Sequence, residues 1–110
     1  MGKYSRNVVS IEIIDEIYEN AFEFNQMNRF LNKMIRKIRQ KAEKYQHGWA
    51  KCSIKQLESR LNTEIEEWKS LTKPEQYSDK ELDELIDIAN QAMLLWIRKN
   101  HLIKTGIEEL

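Results

Sequence analysis

Three glycines, one proline and one cysteine are all that this chain of 110 residues contains of those types. With so few glycines and prolines, helices have few forced stops, and there is little strand-like alternation to compete with them. The lone cysteine, Cys52, excludes a disulfide framework within the chain and a cysteine-based zinc cluster, which points to a reducing compartment. Net charge is missing too. Eighteen basic and eighteen acidic side chains cancel, so there is no global pull toward nucleic acid or membrane. Long hydrophobic runs are also absent: the most apolar stretch, residues 85 to 97, is too short to span a bilayer. The opening MGKYSRNVVS lacks the apolar core of a signal peptide. The expectation is an all-α, cytoplasmic protein with no membrane segment.

What is present is organised by helical period. Ser10 can cap a first helix with Ile11, Ile14, Tyr18, Ala21 and Phe22 on one face. A second stripe runs Met27, Phe30, Leu31, Met34, Ile35, Ile38, Ala42 and Tyr45. The two stripes are offset by roughly 130° at about 100° per residue. Either the helix breaks near Asn25 and Asn28, or one long helix faces two partners. Charge segregates along the same stretch. Residues 10 to 25 carry five acids and no base, and residues 29 to 44 carry seven bases against Glu43 alone. HGWAKCS then interrupts. Ser53 opens SIKQ, a capping box closed by Gln56, and Ser78 opens SDKE, a second one closed by Glu81. The last long helix is expected to end near Asn100, with Gly106 and IEEL in a frayed tail or short final helix.

Acids sit where a core should be. At about 100° per residue, Leu57, Leu61, Trp68 and Leu71 all fall within about 60° of Glu64, so Glu64 lies inside an apolar stripe with Glu67 at its edge. In the last helix Glu84 and Asp87 are three apart and share a face. Between Leu85 and Ile97 only Asp87, Asn90 and Gln91 are polar. Buried carboxylates are rare unless paired or metal-bound. Either this surface is less buried than it reads, or something cationic lies opposite Asp87. Helices joined by a short loop usually pack antiparallel, which turns the two carboxylate pairs toward each other. A hard divalent cation would relieve the repulsion among them.

ESRLNTEIEEW followed by DELIDIANQAMLLW resembles the MazG-like all-α nucleotide pyrophosphohydrolases, which include dimeric dUTPases. The family pattern is E-x-x-E followed by E-x-x-D. Here Glu64-x-x-Glu67 is followed, after sixteen residues, by Glu84-x-x-Asp87. Asn90, three residues further on, also looks like family members. The resemblance covers residues 28 to 100, which makes residues 1 to 27 an N-terminal extension with an extra helix and 101 to 110 a tail. It implies a four-helix arrangement completed by homo-oligomerisation, as a dimer or tetramer. It also implies Mg²⁺, with Mn²⁺ as a substitute, held by Glu64, Glu67, Glu84 and Asp87, and hydrolysis of a nucleoside triphosphate to monophosphate and pyrophosphate. Asn90, Trp49 and Arg98 are the expected substrate contacts. A non-enzymatic helical interaction or nucleic-acid-binding protein using the basic helix 29–44 is the alternative, with nucleic acid the weaker expectation because a basic run is usually a solvated face.

Overall fold

The computed structural model describes residues 21–45 and 48–108, apart from the side chains of 43–45, 49 and 50. The described residues are all-α. Helix α1 spans Ala21–Tyr45, a single turn of 3-10 helix spans Gly48–Lys51, α2 spans Ile54–Lys69 and α3 spans Asp79–Thr105. The contacts divide the chain after Asn32. In the unit before that point, the described part of α1 carries Phe22, Met27, Phe30 and Leu31 on exposed positions. The proposed helix from Ser10 begins in residues that lie outside the described ones.

α1 is continuous through Asn25 and Asn28, so the helix does not break there; Ile11, Ile14 and Tyr18 of the first stripe lie outside the described residues. Asparagine is only a mediocre helix former, costing well under about 1 kcal/mol relative to alanine, and no glycine or proline adds to that cost.

In the unit from Lys33 onward, α2 packs along α3. Two cross-links give their direction. Glu58, near the start of α2, pairs with Lys99 near the end of α3 at 3.0 Å. Trp68, at the end of α2, donates its indole N–H to Glu81 at the start of α3, 2.8 Å away. The pair is therefore antiparallel, as the short loop between them requires. The core lies between them and the 3-10 turn: Leu57 is fully buried against Cys52 and Leu94, with Ile38, Met93 and Leu95 closing around them.

The cap at α2 forms as the local sequence dictates. Ser53 Oγ accepts from the Gln56 backbone N–H at 3.1 Å, and Gln56 Oε1 accepts from the Ser53 N–H at 2.8 Å. The second expected box does not form. Ser78 occupies the cap position of α3 but makes no side-chain cap bond; its hydroxyl donates to the Glu75 carbonyl instead. Glu81 reaches one residue further back, to the Tyr77 N–H at 2.6 Å, while its other oxygen holds Trp68. That clamp accompanies a left-handed Tyr77 with φ of 56°, a conformation uncommon for a non-glycine residue. α3 also runs five residues beyond the expected end. It stops only where Gly106 turns left-handed with φ of 73° and its N–H returns to the Leu102 carbonyl, the usual glycine ending of a helix. Among the described residues, no helix is long and apolar enough to cross a membrane.

Candidate metal centre

α3 presents Glu84 and Asp87 one turn apart, and α2 brings Glu64 to meet them. One carboxylate oxygen from each of the three lies within 4.8 Å of the others. Glu84 is buried, while Glu64 and Asp87 are partly so. The antiparallel pairing produces this, because a carboxylate two-thirds of the way along α2 is level with the first turns of α3. Glu67, one turn after Glu64, is exposed and outside this set of three. It still lies close enough to act on Glu64.

Three apposed carboxylates repel one another, and the result is visible at Glu64. Burial first, then the charge of Asp87, then that of Glu67 push its carboxyl up to about 6, and Lys41 only partly offsets this. Lysines supply the opposing charge. Lys37 on α1 sits 2.9 Å from Asp87 Oδ1 and 2.9 Å from Asp83 Oδ2. Lys41, one turn later, is 3.6 Å from the same Asp87 oxygen. Lys80 pairs with Glu84 Oε1 at 3.0 Å. Burial works to lower the Lys37 ammonium pKa, but its bonds to Asp83 and Asp87 and their charges win and hold it above the ordinary lysine value. The cationic group opposite Asp87 is thus an amine of the chain itself, on a helix some fifty residues earlier. The sequence reading missed it. The available signal was small: Lys37 and Lys41 are one turn apart, each immediately preceding a stripe residue, Ile38 and Ala42.

The lysines do not saturate the centre. Glu64 Oε2 and Glu84 Oε2 are buried with no hydrogen-bond partner. A buried acceptor left unbonded costs about 1–3 kcal/mol, more when charged. Two ligands of one Mg²⁺ each lie about 2.1 Å from it, so they stand no more than about 4.2 Å apart. Oxygens already gathered within 4.8 Å need little adjustment to meet that limit. The donor set, all carboxylate oxygen, is what a hard divalent cation takes.

Glu64 also lies on the wall of a cavity of about 570 Å³. Ile38, Ala42 and Leu94 give it an apolar side, Lys41 and Arg60 give it cations, and Thr63, Asn90 and Gln91 give it hydrogen-bonding groups. Asn90, 1% exposed, donates its amide N–H to the Met34 carbonyl at 3.2 Å, which orients the amide and leaves Oδ1 buried without a partner. Gln91 Oε1 is in the same state. Arg60, unforeseen as a site residue, is exposed one turn before Glu64.

The other expected contacts are placed differently. The Trp49 side chain lies outside the described residues. Arg98 is 2% exposed, away from the cavity lining. One Nη donates to the Cys52 carbonyl and the other to the Glu108 carbonyl at 2.9 Å. Its guanidinium thus ties the turn before α2 and the chain after α3 to the C-terminal third of α3.

Compared with known proteins, the chain matches no family model, no curated protein and no solved structure.

Proposed function

We propose that this protein is a MazG-like nucleoside triphosphate pyrophosphohydrolase that releases nucleoside monophosphate and pyrophosphate. The observation that carries the reading is the three-carboxylate group of Glu64, Glu84 and Asp87, with two buried oxygens lacking partners, on the edge of a cavity that also holds two cations. In this reading Glu64, Glu84 and Asp87 hold a divalent cation, Mg²⁺ or Mn²⁺, with Glu67 flanking it. When bound, the cation supplies charge neutralisation along the triphosphate and polarises the phosphorus under attack. Lys41 and Arg60 are suited to phosphate oxygens, Arg60 through its planar fork of donors. Ile38, Ala42 and Leu94 suit the face of a base, and Asn90 and Gln91 its polar edge.

The same reading expects a homo-oligomer. On α3, Leu82, Leu85, Ala89, Ala92 and Trp96 recur at alternating three- and four-residue spacing, and Ile103 follows seven residues later with Lys99 between, the period of a helix–helix seam. Trp96 is 65% exposed and Ile103 78%, so the stripe is open to a second copy. Light scattering is expected to give a mass of at least two chains at micromolar concentration.

The activity test is pyrophosphate release from each ribo- and deoxyribonucleoside triphosphate, with Mg²⁺ and with chelator. Release is expected from at least one nucleotide, only with metal, and is expected to fall by at least about a hundredfold in Glu84→Gln, the scale on which loss of one strong electrostatic contact to a transition state is felt. No release from any nucleotide, or full release by Glu84→Gln, would remove the assignment.

A further inference from the structure

Resting on the metal reading above, we propose that Lys37 is a positioning residue of the centre: its ammonium stands in for the cation when none is bound, and moves fully onto Asp83 when the cation arrives. The geometry offers two docks for one amine. Lys37 Nζ is 2.9 Å from Asp87 Oδ1 inside the centre and 2.9 Å from Asp83 Oδ2 outside it, with the Asp83 carbonyl 3.3 Å away as a further acceptor. Asp83 and Asp87 are one turn apart on α3, so the transfer needs a change in the lysine side chain and none in the helix. Asp83 is 60% exposed at its side chain and Asp87 17%, so the outer dock is the solvated one.

Charge favours the transfer. Glu64, Glu84, Asp87 and Asp83 bring four negative charges, and Lys37, Lys41 and Lys80 bring three positive ones. Most of the acid charge is thus met by lysines of the chain. A divalent cation competes with Lys37 for Asp87, and Asp83 is the acid left to receive the amine. Lys41 and Lys80 are about half exposed and can retreat into water. Lys37, at 21%, has a fixed second partner instead. An ammonium cannot replace the metal fully, because it makes three directed bonds and leaves Glu64 Oε2 and Glu84 Oε2 without partners. The stand-in fills the charge but not the coordination.

The test is calorimetric titration of the full chain with MnCl₂, without nucleotide, on wild type, Lys37→Met, Asp83→Asn and the double variant, alongside metal-free melts. Neither Lys37 nor Asp83 is a ligand in this account, so the ligand set stays intact. Lys37→Met is expected to melt lower without metal and to bind Mn²⁺ about tenfold more tightly, the scale of removing one unit charge a few ångströms from a divalent ion in a solvated site. Asp83→Asn is expected to bind about fivefold more weakly, because the amine loses its outer dock. In the Lys37→Met background, Asp83→Asn is expected to change affinity by less than about twofold, since the cycle isolates what acts through Lys37. Weaker binding by Lys37→Met would reduce Lys37 to a structural salt bridge. An equal effect of Asp83→Asn in both backgrounds would reduce Asp83 to a distant charge. If Lys37→Met does not fold, Asp83→Asn alone decides, with unchanged or tighter binding overturning the transfer. A wild type that binds no Mn²⁺ under any condition overturns the metal reading, and this proposal with it.

Discussion

α3 buries polar side chains at two places, and they are treated in opposite ways. Toward its C-terminal end, Arg98 sends both Nη atoms to main-chain carbonyls, of Cys52 and Glu108, beside the buried core cluster at Cys52, Leu57 and Leu94. Toward its N-terminal end, Glu84 and Asp87 face Glu64. There Glu64 and Glu84 each bury an unbonded carboxylate oxygen, the Glu64 carboxyl is pushed up to about 6, and a cavity opens alongside. Both places are costly to bury. At Arg98 the cost is offset within the chain by hydrogen bonds to two main-chain carbonyls. At the carboxylates it is offset only in net charge. An arginine committed to backbone carbonyls behaves as part of the scaffold. Acids partly offset in charge and short of bonds are a place where something further can bind.

That contrast can be broken most forcefully at Arg98. Arg98→Met keeps length and volume but removes the donors to two carbonyls, and is expected to cost about 2 kcal/mol of unfolding free energy, chiefly from leaving the buried Cys52 carbonyl unsatisfied. The loss, read from urea melts, is expected to be the same with and without Mg²⁺. A loss that Mg²⁺ repairs or enlarges would mean that the Arg98 end also takes part in the metal site.

A smaller effect sharpens the other side. Glu64 has its folded-state pKa raised from 4.5 to about 6. The folded state therefore binds this proton more tightly than the unfolded state does. Its contribution to stability is fully present below pH 4.5 and is lost as pH rises through about 6. Without divalent metal, the stability of wild type minus that of Glu64→Gln is therefore expected to fall across this window and to be flat above it. The group is partly solvated, so the slope is shallower than that of a fully buried acid. A difference that rises with pH in the same window would contradict the crowding of carboxylates at this site.

How much of this was legible in the sequence depended on how local the physics was. The Ser53–Gln56 cap could be read because its partners are three residues apart and nothing else competes for them. The meeting of Glu64 with Glu84 and Asp87 followed from wheel positions and a short loop. The Ser78–Glu81 box has the same local signature and fails, because Trp68 and the Tyr77 N–H take both oxygens of Glu81; no window around Ser78 contains Trp68. Lys37 was hidden for the same reason at larger separation. A lysine in a basic run gives no sign of which acid it will meet, so the basic face of α1 read as solvated although two of its lysines neutralise Asp87. The substrate role expected of Arg98 came from resemblance and charge. The chain's own packing puts its guanidinium under the 3-10 turn, against Cys52.

The central claim is that Glu64, Glu84 and Asp87 form a site for one divalent cation. Electron paramagnetic resonance of free Mn²⁺ during titration tests it directly, on wild type, on Glu84→Gln and on Glu66→Gln as a control, because Glu66 is an exposed acid on the same helix as Glu64. The account predicts one Mn²⁺ bound per chain by wild type and by Glu66→Gln, and at least a tenfold weaker site in Glu84→Gln, the scale of losing one unit charge next to the ion. Equal binding by Glu84→Gln and wild type, or no binding by wild type, would contradict it.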